Sequence, residues 1–428
     1  MGTGFASAKV VLIDADTIAG VVDASDVPPG VPVDDWGSCA LVPGTVNAHG
    51  HSFQSLLKGI ADDRPFESWR DDVLYPLSEQ LDERAIYVGA VFAFAEALLA
   101  GVTTIVDFFY LNDEGNENAE QVIRAARDTG IRLVLARSFY DVDAPTRAPN
   151  RYRETAEDAA ERLRALARTY ATDRQVSIQP APHSLHAASP ETIAVALDVA
   201  RELEAPCHLH LAEAAYEPEL VRERYGTSPV RLLQREGLLD ERLIAVHVVW
   251  ADDEELDMLA EAGCSVVHCP GANAFLGDGI ARVPEMLSRG IRVALGPDGG
   301  CANNRQSVFD EMRTATLVAK ARLMDGAALD AATAFALGTT AGAGALGLPV
   351  GAIETGRRAD LVALDLTDLS LQPRHTLARQ MVASMQSTAI ARVMVGGWVV
   401  AEGGRLQRMN HDRLRSEVEE VTAAWARP

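Results

Sequence analysis

Between Pro43 and Asp298, short β-branched apolar runs alternate with longer stretches in which apolar residues recur at helical spacing. Eight such runs stand out: Leu41–His49, Thr103–Asp107, Arg132–Arg137, Val176–Ala181, Cys207–Leu211, Leu243–Val249, Ser265–Cys269 and Arg292–Gly296. Helical patterns separate most of them, as in Glu154–Tyr170 and Pro190–Leu203. Strand–helix alternation predicts parallel βαβ units, and eight of them predict an α/β fold with a (β/α)8 TIM-type barrel spanning 44–349. A doubly wound open sheet is the competing architecture. The polar residues argue against it, because they gather at the ends of the runs: His49 and His51, Tyr110, Arg137, His183, His210, His247, His268 and Asp298. A barrel brings all eight strand ends to one face, where its active site lies.

The chain ends fall outside this pattern. Val10–Ile13 and Thr17–Val22 near one end, and Ala359–Asp365 and Val393–Val400 near the other, read as short strands punctuated by Gly396–Gly397 and Gly403–Gly404. They predict a small β-sandwich domain assembled from residues 1–43 and 350–404. Residues 405–428 then form a C-terminal helix capped by Asn410. Its Leu414, Val418, Val421 and Trp425 share one face, which packs on the protein or on a second copy in a homodimer.

Composition narrows the function. A net charge of −22 opposes nucleic acid and anionic membrane surfaces, leaving a small molecule as the expected partner. Five cysteines without a CxxC pair fit a reducing, cytoplasmic setting. The chain starts without a basic region followed by an apolar stretch. Its most apolar segment, Ala85–Ala95, ends at Glu96, well short of the ~18 residues of a membrane span.

Residues i and i+2 of a strand face the same side, so the imidazoles of His49 and His51 can share one metal ion. The fifth run holds a second such pair, His208 and His210. His210 lies nearer the strand end and has Glu213 three residues on, which makes it the candidate ligand and leaves His208 as a hydrogen-bonded core residue. The eighth run ends in Gly296-Pro297-Asp298-Gly299-Gly300, setting an acid at the barrel mouth. Three imidazoles and one carboxylate leave room for water, which is the donor set of a catalytic site rather than of a closed structural one.

The segments PGTVNAHGH, APHS, HLAE, AVH, HCPGAN and GPDGG, with GAIETGRRADLVALD near the C-terminus, resemble the amidohydrolase superfamily, in particular its deaminase and chlorohydrolase branch. The resemblance implies a metal-dependent hydrolase that attacks an sp2 carbon of a C=N substrate and releases ammonia. Its metal would be one divalent ion, zinc or iron(II), on His49, His51, His210 and Asp298. Glu213 and His247 match proton-handling residues, and Asp298 is placed to accept a proton from the attacking water. His183 matches a substrate-contacting histidine.

Gln54, Trp69, Arg70, Tyr110 and His183 resemble positions of formimidoylglutamate deiminases. His186 stands where those enzymes carry an arginine, and it cannot fork onto a carboxylate as arginine does. The segment from Asp298 to Asn304 is closer to S-adenosylhomocysteine deaminases and triazine hydrolases. The expected substrate is a small amidine, guanidine-like or cyclic aminoimine compound with an acidic group near Arg70. An aminopurine or other heteroaromatic amine is the alternative, as is loss of chloride or an alkylamine from the same carbon. A non-enzymatic binding protein on this scaffold is disfavoured by the complete ligand set. Gly342–Gly347 spells GxGxxG inside an Ala-rich helical stretch with no strand before it, so no dinucleotide role follows. Cys269 and Cys301 lie near the mouth but read as buried structural thiols.

Overall fold

The computed structural model describes residues 5–60, 62–142 and 147–425. Eight parallel strands follow one another with helices between them: β1 (Thr45–Asn47), β2 (Val102–Phe109), β3 (Arg132–Phe139), β4 (Val176–Pro182), β5 (Cys207–Leu211), β6 (Leu243–His247), β7 (Ser265–His268) and β8 (Arg292–Leu295). They pair in sequence order as two four-stranded sheets, β1 to β4 and β5 to β8. The continuous eight-stranded ladder expected from the sequence is thus interrupted at two seams. Backbone bonds bridge each seam: His210 N–H to His183 O (3.1 Å), within an isolated Ser184–His210 bridge, on one side, and Ala48 N–H to Leu295 O (2.9 Å) with Asp298 N–H to His49 O (3.1 Å) on the other. Nearly every strand residue is buried, as expected for parallel strands covered on both faces.

The first apolar run proves to be two strands. Cys39–Pro43 pairs antiparallel with Leu361–Asp365 in a separate sheet, and only beyond Gly44 does β1 begin. Proline has no N–H to donate onward, and a Cβ on Gly44 would sit 2.0 Å from Thr103 Oγ1. Pro43-Gly44 is therefore the crossing point between sheets. The outer sheet has five strands in the order Arg405–Leu406, Trp398–Glu402, Ile390–Val395, Leu361–Asp365 and Cys39–Pro43. The hairpin of Lys9–Asp14 and Thr17–Asp23 is a separate two-stranded sheet. It meets the larger one through a Thr17–Arg358 bridge and a small core of Ile18, Ala359, Leu361 and Met394.

Asp360, just before the Leu361 strand, joins the outer sheet to the barrel. It accepts two bonds from the buried Arg132 guanidinium at the start of β3 (2.8 and 2.9 Å) and one from Gly396 N–H (2.7 Å). The C-terminal helix His411–Thr422 is capped by Asn410 Oδ1, which accepts from Arg413 N–H at 2.9 Å. Leu414, Val418, Val421 and Trp425 all join the main core, so this face packs on the protein. Among the described residues no helix is long and apolar enough to cross a membrane, and all five cysteines are free.

Candidate active site

The strand ends are where the backbone departs most from ordinary geometry. Ala212 after β5, His247 and Val248 at the end of β6, and Asp298 after β8 have φ of 50°, 75°, 48° and 69°. Non-glycine residues in this left-handed region cost about 1–3 kcal/mol each and persist where the surroundings impose them. Here each marks a strand that turns abruptly once its side chain has reached the mouth.

Four side chains converge there. His49 Nε2 lies 3.2 Å from His210 Nε2 and 3.5 Å from Asp298 Oδ1, and His51 Nε2 lies 3.4 Å from the same Asp298 oxygen. Tetrahedral donors about 2.0–2.1 Å from a common zinc stand roughly 3.3 Å apart. The observed spacings match that edge length. His51 Nδ1 pairs with Phe108 O (2.6 Å) and His210 Nδ1 with His183 O (2.7 Å). A carbonyl can only accept, so both rings carry hydrogen on Nδ1 and turn an Nε2 lone pair inward. Burial holds His210 well below the usual histidine range and His51 down to about 4, His49 adding to both, so both are neutral. Burial would raise the Asp298 carboxyl, but the surrounding imidazoles, His49 foremost, hold it below the usual carboxylate range. Inward lone pairs facing a carboxylate repel one another unless a cation sits between them, and this donor set fits one divalent ion.

His247 and Glu213 flank the cluster. His247 Nε2 is 3.4 Å from Glu213 Oε1 and 3.8 Å from Asp298 Oδ2. Burial, reinforced by Asp278, Asp298 and Glu217, pushes the Glu213 carboxyl well above its usual range. Glu217 accepts from the Glu213 N–H (3.0 Å) and fixes the loop that carries it.

A narrow cleft of about 40 Å³ opens onto this group. All six substrate-contact candidates line it: Gln54, Trp69, Arg70, Tyr110, His183 and His186. Gln54 Nε2 donates to Tyr110 Oη (2.8 Å) and Trp69 Nε1 donates to Cys301 O (3.1 Å). Phe66, Leu74 and Tyr75 complete the wall, and Tyr216 reaches His186 Nδ1 through its hydroxyl (3.0 Å). These last residues had no signal in the sequence beyond their place in the Ser52–Glu83 excursion or shortly after Glu213.

Arg70 differs from expectation. Its Nε and Nη2 already pair with the adjacent Asp71 at 2.7 and 3.2 Å, and the guanidinium lies 5.2 to 5.8 Å from the rings of Phe66, Tyr75 and Tyr216. Only Nη1 lacks a hydrogen-bond partner among the described residues, as does His186 Nε2. His186 is kept neutral, at about 3, by burial and then by the charge of Arg70.

Two strand-end residues lie elsewhere. Arg137 is wholly buried and outside the cavity lining, paired with Glu154 Oε2 (3.1 Å) and Asn116 Oδ1 (2.9 Å). His268 lies at the end of β7 without lining the cavity. His208 is a core residue bonded to Gln179 Oε1 at 2.7 Å. Burial pushes the thiols of Cys269 and Cys301 far above their usual range, so neither is a ready nucleophile. A separate cavity of about 570 Å³ lies beside the C-terminal helix and contains none of these groups.

The similarities agree with this geometry. The chain is 36% identical over 388 residues to a 5-methylthioadenosine/S-adenosylhomocysteine deaminase of Desulfovibrio desulfuricans, covering 90% of this chain and 85% of the relative. A protein of the same description from Pyrococcus abyssi is 30% identical over 97% of this chain and 94% of its own. A zinc-bound crystal structure described as an adenosine deaminase of Xanthomonas campestris superposes with a TM-score of 0.90 at 30% identity, covering 97% of this chain and 93% of that one. The model of the amidohydrolase family matches residues 40–400, and this chain belongs to that family.

Proposed function

We propose that this protein is a metal-dependent hydrolytic deaminase. The observation that carries the reading is the convergence of His49, His51, His210 and Asp298 at ligand spacing, with the buried Glu213 carboxyl and the His247 ring beside them. A divalent ion bound there supplies Lewis-acid activation of water, whose pKa such ions can lower to about 7. Asp298 accepts the proton of the attacking water. His247 donates a hydrogen bond to the oxygen as it adds to the sp2 carbon. Glu213 delivers its proton to the nitrogen of the C=N bond, Asp298 passes the proton taken from water to the amino group as it leaves, and the proton of the added hydroxyl returns to Glu213 as the carbonyl forms. Water adds across the carbon and ammonia leaves, so C(NH2)=N becomes C(=O)–NH.

For the substrate, the neutralising Asp71 beside Arg70 and the aromatic wall favour an uncharged heteroaromatic amine of the aminopurine class, the kind of compound named for the relatives. The unpaired Arg70 Nη1 supports the second reading, an amidine bearing an acidic group. We also read the two half-sheets as one closed barrel, supported by the seam bonds, and the hairpin with the five-stranded sheet as a β-sandwich, supported by their common core. The deaminase test is ammonia release from adenosine, 5′-substituted adenosines and acidic amidines by protein stripped of metal and then reloaded with one equivalent of zinc. Turnover restored by zinc is expected, and a zinc-loaded protein inert on every member of both classes counts against the proposal.

A further inference from the structure

The metal-facing histidines and His247 are oriented by opposite kinds of partner. His51 and His210 meet carbonyl oxygens at Nδ1, which fixes hydrogen there. His247 Nδ1 instead meets the side-chain amide of Asn273, whose Nδ2 lies 3.1 Å away. That same Nδ2 lies 3.2 Å from Asp278 Oδ2. An amide nitrogen carries two hydrogens, enough for both contacts. Turning the amide over would set Asn273 Oδ1 against the carboxylate oxygen, acceptor against acceptor. All three side chains are buried, so water does not substitute for the missing bonds.

We infer that Asp278, acting through Asn273, fixes His247 in the tautomer that carries its hydrogen on Nε2, so that this ring offers the cluster an N–H donor and not a lone pair. Asn273 and Asp278 are then positioning residues. The inference deepens the role given to His247 in the proposed reaction and rests on that reading for its meaning, though not for its test. It also separates the buried rings that share this space: His51 and His210 have inward lone pairs for a metal, whereas the only lone pair on His247 faces the amide. The left-handed backbone at His247 and the bond from Asp278 N–H to Asn273 O (2.9 Å) hold the two sides of the contact in place.

The test is the ring-nitrogen spectrum of protein labelled with 15N-histidine, loaded with zinc and kept at pH 8, above the value of about 7 to which burial pushes Asp278. The His247 signals are those lost in His247→Gln. They are expected to show a protonated Nε2 and an unprotonated Nδ1. Asn273→Asp preserves shape but presents only acceptors, so it draws the hydrogen to Nδ1 and inverts the pattern with zinc content unchanged. Should that variant not fold, Asp278→Leu serves instead, because removing the acceptor frees Asn273 to turn over and an Nδ1–H form appears. A wild-type ring protonated on Nδ1, or a pattern untouched in the folded variant, overturns the inference. Because the spectrum needs no substrate, a correct tautomer in a protein that deaminates nothing would refute the proposed function alone. Active enzyme with hydrogen on Nδ1 would refute this inference alone.

Discussion

Replacing Arg70 by methionine divides the two substrate readings. Methionine keeps an unbranched stem among Phe66, Tyr75 and Tyr216 and removes the charge. Of the three guanidinium nitrogens, two are engaged by Asp71, so a substrate carboxylate has one free donor, Nη1. A hydrogen bond to a charged group contributes about 1.5–3 kcal/mol, roughly 10- to 150-fold in kcat/KM. Losing Arg70 also leaves Asp71 uncompensated, and its negative charge would repel the same carboxylate. Arg70→Met combined with Asp71→Asn removes that second effect and isolates the lost bond. On an acidic amidine the single variant should fall by the full factor or more, and the double variant should recover part of it. On a neutral aminopurine nucleoside both should stay within about 3-fold of wild type, since no charge-assisted bond is broken. Zinc content should be unchanged throughout. The electrostatic reasoning fails if the acidic substrate, once shown to turn over, is indifferent to both variants, or if the neutral one loses as much.

Further outcomes follow from the same geometry. His51→Ala and Asp298→Ala should each fall well below one equivalent of bound metal by elemental analysis while remaining folded; full occupancy in both would remove them from the ligand set. Glu213→Gln keeps the shape but neither delivers nor recovers a proton, so turnover should drop about 10²-fold or more at constant metal content; wild-type turnover would assign the proton to another group. Glu311, buried and bonded to Gly271 N–H and Asn303 Nδ2, is raised by burial from 4.5 to about 7. The native state therefore holds a proton that the unfolded chain has lost between those values, and stability declines as pH rises through that window, by up to about 3 kcal/mol. Glu311→Gln should flatten the fall in Tm between pH 5 and 7.5, and an unaltered slope would show that Glu311 is not its source.

The candidate ligand cluster was legible because a barrel brings its strand ends to one face. His49 and His51 lie just beyond the last residue of β1, and with His210 and Asp298 they inherit their convergence from eight strand ends meeting at one face. Arg137 shows the limit of that reasoning. Every residue of β3 is buried, so hydrophobicity does not say which alternate side chains face the barrel interior, and a terminal arginine can serve Glu154 as readily as a substrate. The break at Pro43-Gly44 was hidden for a related reason, since two consecutive apolar strands in different sheets read as one run. The pairing of Arg70 with its immediate neighbour depends on rotamers within a six-residue π-helical turn, Trp69–Leu74, and has no signature in spacing. Asn273 was visible only as the last letter of HCPGAN, and its amide contacts with Asp278 and His247 exist only once the helix and loop after β7 have folded against the end of β6.

The clasp between Asp360 and Arg132 joins residues 228 positions apart, and the strand beside it pairs Leu361 with Pro43 across most of the chain. A ribosome releasing this polypeptide from its N-terminus therefore exposes the Cys39–Pro43 edge, and leaves a guanidinium at the foot of β3 without its counter-charge, until the final sixth of the message has been read. Contacts of such long sequence separation form late and leave unpaired edges open in the meantime. A nascent chain stalled after β8 would carry its entire ligand cluster and still present a sticky, uncapped floor, so chaperone dependence during synthesis should end abruptly once residues near 365 emerge.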